Sequence, residues 1–234
     1  MIIHNIPAPT MLFVVAIVSY LLGSLNFALL ISRIFSKDDI RKYGSGNAGM
    51  TNMLRTYGKK AAIATTAGDF LKAIAAISLA RWVFATFGVN PELAGISGTF
   101  LYIPGADMID PGYIAGAAAL LGHVFPIYFG FRGGKGVVTT AAVLLAINPL
   151  IFLLTVAIFV PLAFITRIVS LASVLGVIFF PAAILTMGLI RGYPPNLWQD
   201  VLFCLVISGI VLIKHKENIK RLLAGTEHKF SRKK

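Results

Sequence analysis

Residues 136–166 read GVVTTAAVLLAINPLIFLLTVAIFVPLAFIT, thirty-one residues without a charge. As a single α-helix rising about 1.5 Å per residue they would extend about 46 Å, well beyond a hydrocarbon core of about 30 Å. Asn148-Pro149 stands inside the run. The residue before a proline is disfavoured in helical geometry, so the run is read as two pieces, 137–147 and 149–165. That division decides on which side of a membrane the rest of the chain lies.

The surrounding sequence demands a membrane. Residues 11–32, 112–131 and 168–190 are also free of charge. Of the 234 residues 57% are hydrophobic and 13% charged, against about a quarter charged in soluble domains. The expected fold is all-α: a polytopic integral membrane protein forming one membrane-embedded domain over residues 1–234. The first run is read as a retained span, because MIIHNIPAPT before it holds no Lys or Arg and the run outlasts a signal h-region of about 7–15 residues. Cys204, the single cysteine, lies in an apolar run, which excludes an internal disulfide and a cysteine metal site. The net charge of +12 is assigned to loops, not to nucleic acid.

Charge placement sets the expected orientation. Residues 33–60 carry seven Lys/Arg and residues 214–234 carry eight, whereas 89–111 carry none and hold Glu92, Asp107 and Asp110. The positive-inside bias puts the first two in the cytoplasm and the third outside, with the N-terminus outside and the C-terminus cytoplasmic. An odd number of crossings is then required. Spans near 11–32, 67–88, 112–130, 137–147, 149–165, 168–190 and 197–213 make seven. The 137–147 piece, about 16 Å of helix, is too short to cross alone, so it must be tilted into protein or lie beside a polar cavity. The segment 86–111 reads as an external loop. No internal repeat is visible.

Polar residues inside apolar spans carry the chemistry. Asp69 and Lys72, three apart, share a helical face and can pair; a self-compensating pair at the rim and a substrate contact both stay open. Arg81, beside Trp82, is expected to reach the outer interface as an anchor. Asp200 is expected near an interface. Three polar clusters fall on the predicted cytoplasmic side: GSGNAGMTNMLRTYG at 44–58, GHVFPIYFGFRGGKGVVTT at 122–140 and KHKENIKRLLAGTEHK at 214–229. The first two are glycine-rich with a cation, which suits an anion-binding nest of backbone N–H groups. Thr51-Asn52 is placed to open a helix, whose N-terminus favours phosphate. Arg55, Lys72 and Lys135 can neutralise the anion. A nucleotide P-loop is excluded, because Gly134-Lys135 is followed by Gly136 and Phe129 stands five before Gly134. His123 is either a structural histidine or a phosphate contact. His215 follows the last span, with Asn218 on the same helical face, and is read as functional.

Together these clusters resemble the PlsY family, the integral-membrane acyl-phosphate:glycerol-3-phosphate acyltransferases of bacteria. The shared strings are Gly44–Asn52, Gly122–Thr139 and His215–Glu227, with Gly68–Lys72 matching a further GDxLK element. The resemblance implies transfer of an acyl group from acyl phosphate to the 1-hydroxyl of sn-glycerol 3-phosphate, giving lysophosphatidic acid and phosphate. It implies no cofactor and no metal, since the donor is already activated. Implied partners are glycerol 3-phosphate, long-chain acyl phosphate and membrane lipid, and the chain is expected to be monomeric in the bacterial inner membrane with its active site facing the cytoplasm. The implied catalytic residues are Ser45, Lys135, His215 and Asn218. Substrate contacts are Gly46, Asn47, Thr51, Asn52, Arg55, Asp69, Lys72, His123, Gly133, Gly134, Gly136, Thr139 and Glu227, the last orienting a basic residue. Ser45 is not expected to be a covalent nucleophile, having no His-Asp partner in sequence. The H-x4-D motif of other glycerolipid acyltransferases is absent: Tyr128 stands five after His123 and Lys220 five after His215. Met50 and Arg132 depart from the family pattern without removing charge. A transporter for an organic phosphate is the competing class, but the polar clusters gather at one face instead of the midplane.

Overall fold

The computed structural model describes residues 8–87, 110–194 and 197–230. Most of the expected external loop 86–111, with Glu92 and Asp107, lies outside the described residues. Every regular element among the described residues is helical: α1 (Ala8–Gly23), α2 (Phe27–Ser36), α3 (Met50–Phe87), α4 (Pro111–Val124), α5 (Val137–Ile147), α6 (Pro149–Thr166), α7 (Val169–Ile190), α8 (Leu197–Lys214) and α9 (Lys216–Leu223), with short 3-10 turns at Ile40–Lys42 and Ile127–Phe129. Six stretches are long and apolar enough to cross a membrane; α5 is too short. Two compact units are present, residues 1–147 and 148–234.

Helix ends follow the side chains available to cap them. Asn148 accepts the N–H of Ile151 (3.2 Å) and Pro149 occupies the first turn of α6, so the break expected in the 136–166 run falls at that dipeptide. Asp110 with Pro111 starts α4 the same way.

The first span departs from its expected form. It breaks at residues 24–26, where Asn26 accepts the N–H of Leu29 (3.1 Å) and begins α2. Breaking a helix in an apolar setting frees backbone groups that need partners. Asp69 and Lys72 provide them: Lys72 Nζ donates to the Leu25 carbonyl (2.8 Å) and Asp69 Oδ1 accepts the N–H of Phe27 (3.3 Å).

Helix α3 also differs from expectation. It starts at Met50, not near residue 67, so the polar residues 50–57 are helical. Gly58 interrupts it at φ 82°, ψ −172°, a conformation closed to other L-residues. Arg81, expected at the outer interface, is instead buried (6% exposed), and its guanidinium donates through Nε to both carboxylate oxygens of Asp110 (3.1 Å each). Burial of a charge requires such a partner. Trp82 remains exposed.

In the first unit α1 and α4 pack backbone against backbone. A Cβ on Gly23 would fall 2.1 Å from the Ala119 carbonyl oxygen, and one on Gly122 would fall 2.2 Å from that of Tyr20. Close approach through small residues is how helices associate where apolar burial offers no driving force. A separate apolar cluster of Leu29, Ile31, Ile40, Ala48, Met53 and Phe129 lies under the loops. In the second unit α7 packs between α6 and α8, and Ser208 Oγ donates to the Val177 carbonyl (2.6 Å).

Candidate active site

Much of the 37–49 loop is fastened by the buried amide of Asn52. Asn52, 1% exposed in the first turn of α3, accepts the N–H of Ser45 on Oδ1 (2.9 Å) and donates from Nδ2 to the carbonyls of Tyr43 (2.9 Å) and Ile40 (3.2 Å). Ser45 and Gly46 are thereby held at the exposed tip, and Asn47 is half-buried. Thr51 is half-buried and Arg55 exposed on the next turn of α3. Asn52, expected as a substrate contact, spends three hydrogen bonds on its own loop, leaving little capacity for a ligand.

The second loop folds back on the end of α4. Gly133 N donates to the Val124 carbonyl and Gly134 N to that of His123 (3.2 Å each). Gly134 is buried against both loops: a Cβ there would lie 2.3 Å from His123 Nε2 and 2.6 Å from the Ala48 carbonyl oxygen. Lys135 is half-buried, and Gly136 turns into α5. Thr139 is buried in the first turn of α5, its hydroxyl without a hydrogen-bond partner among the described residues.

Asp69, Lys72 and His123 are each at most 5% exposed and engage one another. The Lys72 ammonium is 2.7 Å from Asp69 Oδ1, 2.8 Å from the Leu25 carbonyl and 3.1 Å from His123 Nδ1. The same Nδ1 lies 3.4 Å from Asp69 Oδ1, so the His123 ring is set against both the ammonium and the carboxylate. The three residues read as a buried network behind the second loop.

In the second unit His215 is 2% exposed. Its Nδ1 is 2.8 Å from the Val211 carbonyl, which can only accept, so Nδ1 carries the proton and neutral His215 keeps its lone pair on Nε2. Asn218 Nδ2 donates to Glu227 Oε1 (2.8 Å), and Arg221 Nε donates to Glu227 Oε2 (2.8 Å). Glu227 thus holds Asn218 and one basic residue. Burial pulls the Glu227 carboxyl upward, but the hydrogen bonds from Asn218 and Arg221 prevail and hold it below its ordinary value. With the folded value below the unfolded one, this carboxylate stabilises the fold fully above the ordinary 4.5 and loses that contribution as pH falls through the folded value. Melting wild type and Glu227→Gln across the acid range is expected to give a stability difference that is constant near neutrality and shrinks below the ordinary carboxyl value. A difference independent of pH would contradict the charged clasp.

Sequence reasoning missed Arg41 and Asp39. Arg41 Nη1 donates to the carbonyls of Phe129 and Arg132 (2.9 Å each), and Arg41 Nε lies 3.0 Å from each oxygen of Asp39. The side-chain hydrogen bond from Arg41 holds the Asp39 carboxyl below its ordinary value. The available signal was an acid two residues before an arginine, just ahead of a glycine-rich loop.

The family model for glycerol-3-phosphate acyltransferase matches residues 13–225. The chain belongs to that family. Glycerol-3-phosphate acyltransferase of Neisseria meningitidis (serogroup C, strain FAM18) is 41% identical over 231 residues, 98% of each chain. That of Agrobacterium fabrum is 38% identical over 226 residues, 97% of this chain and 95% of the relative. The crystal structure of PlsY (YgiH), an integral membrane glycerol 3-phosphate acyltransferase, in its glycerol 3-phosphate form superposes with a TM-score of 0.73 at 32% identity, covering 94% of this chain and 96% of that one. Its lysophosphatidic acid form gives 0.71 at 31% identity, covering 94% and 95%. Family membership makes this chain an acyltransferase and an integral membrane protein.

Proposed function

We propose that this chain transfers a fatty acyl group from acyl phosphate to the 1-hydroxyl of sn-glycerol 3-phosphate, releasing lysophosphatidic acid and phosphate. The observation that carries the reading is the joining of two glycine-rich loops in one unit, with Ser45 at the tip of one and Lys135 in the other. Family relatives named for glycerol 3-phosphate support the acceptor. Lys135 and the backbone N–H groups leading into α5 supply positive potential for a phosphate and for the charge that develops on the carbonyl oxygen. Ser45, Gly46, Asn47, Thr51 and Arg55 supply contacts at the exposed end of the first loop. His215 is the base for the attacking hydroxyl, since its lone pair is on Nε2. Asn218 is the polar group beside it in sequence, set by Glu227.

The chain works as a monomer in the bacterial inner membrane, surrounded by membrane lipid, with long-chain acyl phosphate as the donor. The basic residues at 33–60 and 214–234 place its loops in the cytoplasm, and α5 completes seven spans with the N-terminus outside. No cofactor takes part.

The test uses purified protein with radiolabelled glycerol 3-phosphate and palmitoyl phosphate. Labelled lysophosphatidic acid is expected, with no acyl adduct on Ser45. Absence of product, together with uptake of glycerol 3-phosphate into sealed vesicles, would replace the enzyme by a transporter.

A further inference from the structure

The residues between the 3-10 turn at Ile127–Phe129 and Lys135 form an unfavourable turn. Gly130 has φ 65° and Phe131 φ 58°. Left-handed geometry is uncommon for a bulky side chain, and such residues persist where the surroundings hold them. Phe131 is 55% exposed, so packing of its ring does not hold it. The backbone is gripped instead. Phe131 N donates to the Pro126 carbonyl (2.9 Å), and Arg41 Nη1 takes the carbonyls on both sides, Phe129 and Arg132. Arg33 lies over the Phe129 ring, 4.9 Å from its centre. Arg41 is itself fixed by the two oxygens of Asp39, which also caps the turn at Ile40–Lys42 by accepting the N–H of Arg41 (2.9 Å).

Two residues after Arg41 comes the Tyr43 carbonyl held by Asn52, and then Ser45. Three residues after Arg132 comes Lys135. The Arg41 guanidinium thus joins the loop bearing Ser45 to the loop bearing Lys135. Arginine suits this place because its fork presents several donors in a fixed plane, which lysine does not.

We propose that Arg41, backed by Asp39, is a positioning residue for acyl transfer: it holds the Gly130-Phe131 turn in left-handed geometry and so sets Lys135 relative to Ser45. This rests on the proposed acyl-phosphate reaction. Arg41 does not touch substrate; it acts through the loop that does.

The experiment measures kcat and KM for glycerol 3-phosphate and for palmitoyl phosphate in purified wild type, Arg41→Ala, Arg41→Lys and Asp39→Asn, with melting temperatures in the same detergent. Arg41→Ala is expected to lower kcat/KM by about tenfold or more, the scale of a misplaced catalytic group. Arg41→Lys is expected to recover only part of it. Guanidinium ion at millimolar concentration is expected to raise the Arg41→Ala rate and leave wild type unchanged. Wild-type kinetics in Arg41→Ala would overturn the proposal. So would a loss of activity that tracks the loss of melting temperature and responds to neither guanidinium nor lysine, which marks a merely structural role. If Arg41→Ala does not fold, Asp39→Asn decides: it keeps the guanidinium but loosens it, and an unchanged kcat/KM would overturn the proposal. An inactive wild type would instead reject the acyl-phosphate reaction, which separates the two failures.

Discussion

Gly133→Ala is expected to lower acyltransferase activity about a hundredfold, the cost of moving a catalytic group by about 1 Å. A methyl at this position would lie 2.0 Å from the His123 carbonyl oxygen, 2.6 Å from Pro126 Cδ and 3.0 Å from the Val124 carbonyl oxygen. None of these atoms can step aside cheaply. The His123 carbonyl accepts the N–H of Gly134, the Val124 carbonyl accepts that of Gly133 itself, and Pro126 Cδ belongs to a ring. The loop must lift off the end of α4, carrying Lys135 two residues on. Gly209→Ala is the control, since a Cβ there meets nothing within 4 Å and its backbone is helical. Turnover in the labelled-product assay checks both. Wild-type turnover in Gly133→Ala would show that the second loop need not sit where it does.

Lys72→Met is expected to destabilise the fold by about 3–5 kcal/mol, the range for removing one partner of a buried ion pair. Asp69 would be left ionised at 2% exposure with only the Phe27 N–H and the His123 ring near it. The Leu25 carbonyl at the α1–α2 break would lose its donor as well. Asp69→Asn combined with Lys72→Met removes the stranded charge, so the double variant is expected to be more stable than Lys72→Met alone. Thermal unfolding in detergent provides the measurement. A Lys72→Met protein that melts with wild type, or a double variant that melts below the single, would contradict a network held together by charge.

What the sequence made legible was local. Asn148-Pro149 carries its own cap and its own steric veto on a continuing helix, so the α5–α6 break fell where it was read. Asp69 and Lys72 sit three apart on a helix, and that spacing suffices to bring them together. The role of the pair was not legible, because it depends on a helix break at Leu25, more than forty residues away. Arg81 misled for the same reason. Beside Trp82 it has the look of an interface anchor, whereas its partner, Asp110, comes from the far side of an intervening segment. Thr51-Asn52 was read as opening a helix, and a helix does start at Met50; what was not legible is that Asn52 is buried beneath the Ser45 loop and holds it. In the glycine-rich motifs the residue types pointed to an anion. Which side chains hold the backbone depends on contacts spanning about ninety residues, such as Arg41 to Phe129 and Arg132.

The interruption of α3 at Gly58 has a stereochemical consequence. A Cβ there would meet nothing within 4 Å, so the site has room for a side chain. What excludes one is handedness, because φ 82° with ψ −172° is the mirror image of ordinary extended backbone. A D-alanine introduced by chemical ligation would find its preferred geometry at residue 58, whereas L-alanine would have to straighten the chain and swing Asn52 and Arg55 away from the segment that carries Asp69. The direction in which residues 50–57 leave the rest of α3 is set by chirality at one residue, not by the size of anything around it.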